Sequence, residues 1–95
     1  MTDRELTAAD FARGIHHSVR ARIMEGHVKN GSDIVALRRF TGLTQESFAD
    51  ALGISVHTLR NWEQDRRQPD GPALALLRIA ARHPRVLKEN LEASA

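Results

Sequence analysis

The stretch from Thr44 to Gln64 constrains the fold of this chain more than any other. Thr44 is placed to cap a helix over Gln45 to Leu52, in which Phe48, Ala49 and Leu52 share one face. Gly53 follows where a helix stops on a left-handed residue, a conformation glycine adopts because it has no Cβ to clash. Ser55 then caps a second helix, from Val56 to about Gln64. Helix, short turn and helix is the geometry of a helix-turn-helix, whose second helix enters the major groove of DNA.

The second helix has two chemically distinct faces. At about 100° per residue, Leu59 and Trp62 fall on one side and read as core, as do Phe48 and Leu52 of the helix before. His57, Arg60, Asn61 and Gln64 cluster on the other side, where they are candidates for reading bases. Asn61 can donate to and accept from adenine; Arg60 can fork onto guanine or reach a phosphate, and His57 can do either. A pair between Arg60 and Glu63 or Gln64 within the helix is the competing use of that arginine. Val56, on the flank, can meet a thymine methyl. Ser55 and Thr58 offer hydroxyls at the helix start, where backbone N–H groups and the positive dipole end favour a phosphate. Thr44 and Gln45 hold the same place on the preceding helix, so the Gln45 amide is expected on the sugar-phosphate backbone, setting register rather than sequence. Arg66 and Arg67, just past the second helix, are the remaining candidate phosphate contacts, with Glu63, Asp65 and Asp70 offsetting their charge.

Leu43-Thr44-Gln45, Phe48-Ala49, Leu52-Gly53-Ile54-Ser55, Thr58-Leu59 and Trp62-Glu63 together resemble the Cro/C1-type (XRE) helix-turn-helix family. The likeness covers about residues 33–82 and continues through Arg67, Pro69 and Pro72. It implies an all-α, five-helix lambda-repressor-like domain with the reading helix third, at residues 56–64, and a homodimer on an inverted repeat. The run from Ser55 to Gln64, with Arg66-Arg67 and Gly71-Pro72-Ala73, resembles more narrowly the antitoxins of HigA, MqsA and NadS type, which bind a toxin and repress their own operon. Asp65 stands where the family often has glycine, and aspartate tolerates the left-handed region better than most residues. The Cys-rich zinc domain of MqsA antitoxins has no counterpart, so metal binding does not carry over.

The rest of the chain reads as helices around this motif. Thr7 caps an N-terminal helix with Phe11, Ile15, Val19 and Ile23 at i, i+4 spacing and Asp10 in its first turn. Arg13, His17, Arg20 and Arg22 make its opposite face basic, and Gly26 ends it. Residues 27–32 are polar with an Asn-Gly pair, dividing an N-terminal extension, 1–31, from a DNA-binding domain, 32–95. Ser32 or Asp33 is expected to cap a helix through Arg39 or Phe40, with Ile34 and Leu37 inward. After a polar loop from Asp65 to Pro72, a helix from Ala73 to Ala81 or Arg82 buries Leu74, Leu77 and Ile79 or Ala80. Beyond Pro84 a last helix runs from Arg85 to about Leu91, with residues 92–95 fraying.

Composition narrows the function classes. Aromatics are 4% of 95 residues and Tyr is absent, so the core must come from Leu, Ile, Val and Ala, which suits packed helices. Absence of Cys excludes disulfides, thiolate nucleophiles and Cys-based zinc sites. His16 and His17 point apart on a helix and His27, His57 and His83 lie far off, so no metal site is expected. No catalytic triad, phosphate loop or carboxylate pair is evident; neither catalysis nor a cofactor is expected. No run approaches the roughly 20 apolar residues of a membrane span and the N-terminus lacks a signal-peptide core, so the expectation is a soluble, cytoplasmic protein without a membrane role. The net charge is only +2, but 12 of its 14 basic residues are Arg, whose planar fork suits phosphate and guanine edges.

These observations lead to a DNA-binding transcriptional repressor of inverted-repeat operators, read as a homodimeric antitoxin that regulates a toxin–antitoxin operon and binds a cognate toxin. A phage-type repressor with no toxin, and a protein-interaction module with incidental DNA contact, are the alternatives. For the N-terminal helix, packing against the domain, toxin binding and an arm on DNA all remain open.

Overall fold

The computed structural model describes residues 17–94, which form helices and no strand. In chain order these are α1 His17–Met24, α2 Gly31–Thr41, α3 Gln45–Leu52, α4 Val56–Glu63, α5 Gly71–Arg82 and α6 Arg85–Ser94. The fold is all-α: α2 to α6 make the five-helix lambda-repressor-like unit with α4 third, and α1 precedes it. The expected start at Thr7 and the apolar positions Phe11 and Ile15 lie outside the described residues.

The caps of the central motif are those expected from sequence. Thr44 Oγ1 accepts from Ser47 N at 3.1 Å and Ser55 Oγ accepts from Thr58 N at 3.0 Å. Gly53, at φ 73°, stops α3 and hands its N–H to the carbonyls of Ala49 and Asp50. At α2 the expectation is corrected: neither Ser32 nor Asp33 is the cap, because the Asn30 side chain accepts from Asp33 N and the helix starts at Gly31. Asp33 is instead fully buried, taking the Arg22 guanidinium and Lys29 N. Asp70, which reads from sequence as a loop residue, caps α5 by accepting from Ala73 N at 2.9 Å. The last helix also runs beyond Leu91, to Ser94.

The core joins Phe48 and Ala49 of α3, Leu59 and Trp62 of α4, Ile34 and Leu37 of α2, Leu77, Ala80 and Ala81 of α5, and Leu87 of α6. Ile23 and Val28 belong to the same cluster, and α1 packs on α2 and α5. Of the two α5 candidates it is Ala80 that is buried, while Ile79 is 51% exposed. The basic face of α1 is turned partly inward. Arg20 lies over the Phe40 ring at 5.2 Å and Arg22 pairs with Asp33, so neither stands free on the solvent side. Asn90 of α6 donates to Ala51 O at 2.7 Å, tying the last helix to the end of α3.

Candidate nucleic-acid interface

The exposed face of α4, which holds the candidate base-reading residues, is turned outward because the other face is anchored. Leu59 is fully buried and Trp62 nearly so, which turns His57, Arg60 and Gln64 to solvent with Asn61 half-buried between them. Asn61 Nδ2 lies 3.3 Å from His57 Nε2, one turn apart, so these two side chains form a unit. Ser55 Oγ also donates to Thr58 Oγ1 at 3.0 Å, linking the two hydroxyls at the start of α4. Val56 is half-buried and packs against the core edge, while Thr44, Arg66 and Arg67 are exposed.

Beneath this face runs a polar chain that sequence reasoning missed. Arg38 of α2 forks onto the nearly buried Glu63 carboxylate, with Nε 2.7 Å from Oε2 and Nη2 3.2 Å from Oε1. Gln45 Nε2 donates to Glu63 Oε1 at 2.9 Å, and Gln45 Oε1 accepts from Arg60 Nε at 3.2 Å. Arg60 also stands 3.8 Å from Glu46. The competing use of Arg60, a pair within its own helix, is not taken up with Glu63: Arg60 meets Gln45 and Glu46 of α3, because Glu63 points into the interior at Arg38. The chain fixes α3 against α4 and gives Gln45 a positioning task in addition to any contact outside the protein. Arg38 and Glu63 sit next to the core residues Leu37 and Trp62, a signal too common to single them out in a sequence.

The turn after α4 is equally constrained. Asp65 adopts the left-handed conformation, φ 58°, that its place invites, and its Oδ1 accepts from Gly31 N at 2.8 Å. Gly31 itself lies so close to α4 that a Cβ there would meet Glu63 O at 2.4 Å and Trp62 O at 2.6 Å. The N-terminus of α2 thus abuts the C-terminus of α4, opposite ends of two helix dipoles in contact.

Residues 36–79 match the family model described as helix-turn-helix. This segment is thus similar to helix-turn-helix domains, in keeping with the Cro/C1-type resemblance of its sequence. The domain spans the second half of α2 through most of α5 and so contains both caps, the reading face and the polar chain. Among relatives, the chain is 40% identical over 60 residues to Antitoxin HigA-2 of Vibrio cholerae, covering 63% of this chain and 58% of that protein. It is 36% identical over 61 residues to the uncharacterized HTH-type transcriptional regulator YiaG of Escherichia coli K12, covering 64% of each. The chain therefore spans about three fifths of the length of these curated relatives. Among the described residues no helix is long and apolar enough to cross a membrane, and no group of three His, Asp or Glu is placed to hold a metal ion.

Proposed function

We propose that this protein is a sequence-specific, dimeric repressor that inserts α4 into the major groove, and that it is the antitoxin and autoregulator of a toxin–antitoxin operon. The observation that carries the DNA part is the outward face of exposed His57, Arg60 and Gln64 with half-buried Asn61 between them, held over the buried Leu59 and Trp62. In this reading Asn61, steadied by His57, takes an adenine edge, and Arg60, aimed by Gln45, takes a guanine. Gln64 and Val56 meet neighbouring bases. Thr44, Gln45, Ser55, Thr58, Arg66 and Arg67 hold the backbone and set register.

Dimerisation is supported by Leu76, 39% exposed, and Ile79 on α5. Leu76 also lines, with Leu52, Ile54 and Pro72, an apolar groove of about 170 Å³, a surface that a second copy would cover. Two reading helices then enter successive major grooves about 34 Å apart, and occupancy excludes polymerase. The likeness to Antitoxin HigA-2 supports the antitoxin reading.

Selection from a random duplex pool at near-physiological salt tests the DNA part, with an inverted repeat as the expected product. Failure to enrich any sequence would count against it. For the antitoxin part, a neighbouring gene should arrest growth alone and be harmless when expressed with this protein; a harmless neighbour would refute that assignment.

A further inference from the structure

We infer that the DNA path continues past α4 onto a basic groove between the α1–α2 loop and α5, where Lys29 and Arg78 take backbone phosphates flanking the half-site. The inference rests on α4 being the reading helix. The groove, of about 220 Å³, is lined by His27, Lys29, Arg78 and Arg82, with Glu25 as its acidic member. Lys29 lines a second, smaller cavity as well, in company with Asp65, Arg67 and Gln68 at the foot of α4. Lys29 is common to both, so it links Arg67, at the foot of α4, to Arg78 and Arg82 in the groove.

The neighbouring acids are already engaged. Glu25 is 3.5 Å from His27, Asp65 Oδ1 holds Gly31 N, and Asp33 is buried against Arg22. Arg82 reaches Glu25 O with its Nε at 3.4 Å, a contact that fixes the end of α1. The side chains of Lys29, Arg67 and Arg78 make no ion pair among the described residues. The loop that carries Lys29 is not free to move away: Lys29 N donates to Asp33 at 2.9 Å, Asn30 caps α2, and Gly31 is bonded to Asp65. Lys29 is thus held in fixed relation to the C-terminus of α4. Exposed cations that adjoin the foot of α4 suit the evenly charged duplex backbone, and each phosphate contact contributes a salt-dependent, sequence-independent share of affinity.

The test compares wild type with Lys29→Gln/Arg78→Gln on the duplex enriched from the random pool, with flanking base pairs and trimmed to the repeat. On the flanked duplex the slope of log K against log salt should fall in magnitude by about 1.8, or 0.9 for each lost phosphate contact, with base preference unchanged. On the trimmed duplex the two proteins should have the same slope. An unchanged slope on flanked DNA, or an equal fall from Arg85→Gln/Lys88→Gln on α6, would overturn the inference, the second because it would reflect net charge alone. If the slope is unchanged and the variant instead loses binding to poly-glutamate, the groove belongs to an acidic protein segment and the inference also falls. A wild-type protein that enriches no duplex would instead remove the reading of α4 itself.

Discussion

Glu63 is gripped by Arg38 through two hydrogen bonds, at 2.7 and 3.2 Å, so a carboxylate on α4 is held from α2. Its Oε1 also receives Gln45 Nε2, and Gln45 in turn receives Arg60. Orientation of the exposed face of α4 is thereby built into the interior of the domain rather than left to the surface side chains.

Removing one partner of such a pair strands the other. Glu63→Ala is expected to cost about 3 kcal/mol of stability, measured by urea denaturation, because Arg38 is left part-buried without its counter-charge. Arg38→Met with Glu63→Leu should recover most of that loss, since apolar residues fill the space, yet Gln45 would lose its anchor and base preference should still blur. Stable protein with unblurred preference in the double variant would show that the pair does not position the reading face.

Gly31→Ala probes the contact between the N-terminus of α2 and the end of α4. The new methyl would lie 2.4 Å from Glu63 O, a backbone atom that cannot swing away. A loss of about 2 kcal/mol or more is expected in thermal or urea unfolding. A neutral result would mean that α2 and α4 are not pressed together as described.

At Asp65 two effects compete, and substitutions separate them. Asp65→Asn keeps both the left-handed tolerance and an oxygen for Gly31 N, so it should cost least. Asp65→Gly keeps only the conformation, and Asp65→Ala keeps neither, with an expected loss of about 1–2 kcal/mol. Unfolding midpoints in that order support the account; alanine equal to asparagine contradicts it.

Gln45→Ala has a sharper expectation with the structure than from sequence alone. As a backbone contact only, its loss would weaken all sequences alike with little change in salt slope, because Gln is uncharged. Because Gln45 Oε1 also holds Arg60, the variant should in addition blur preference at the base Arg60 reads, as measured by selection from a random pool. Blurring confined to other positions would detach Arg60 from Gln45.

What was legible from sequence followed from local chemistry. Thr44, Gly53, Ser55 and Pro72 punctuate helices through interactions with their own neighbours, so their roles show without knowledge of the fold. The periodicity that buries Leu59 and Trp62 is likewise local. The cap of α2 is not legible because three of the four residues from Asn30 to Asp33 have capping side chains, and burial of Asp33 against Arg22 from α1 decides among them. Ile79 and Ala80 are neighbours on a short helix, and only the position of α5 on the core selects the smaller one for burial. The Arg38, Glu63, Gln45 and Arg60 chain joins three helices, and no spacing in one helix announces it.

The central claim, that α4 reads bases through its exposed face, is tested most directly by a specificity ratio. Affinity for the enriched duplex and for a scrambled duplex of equal length should be measured at one salt concentration for wild type, Asn61→Ala and His57→Ala. Loss of a bidentate base contact should lower the ratio for Asn61→Ala by about 1–3 kcal/mol, roughly five- to 150-fold, with binding to the scrambled duplex unchanged. His57→Ala should lower it less, through loss of the neighbour that steadies Asn61. An unchanged ratio in both variants, with the fold intact, would contradict the assignment of α4 as the reading helix.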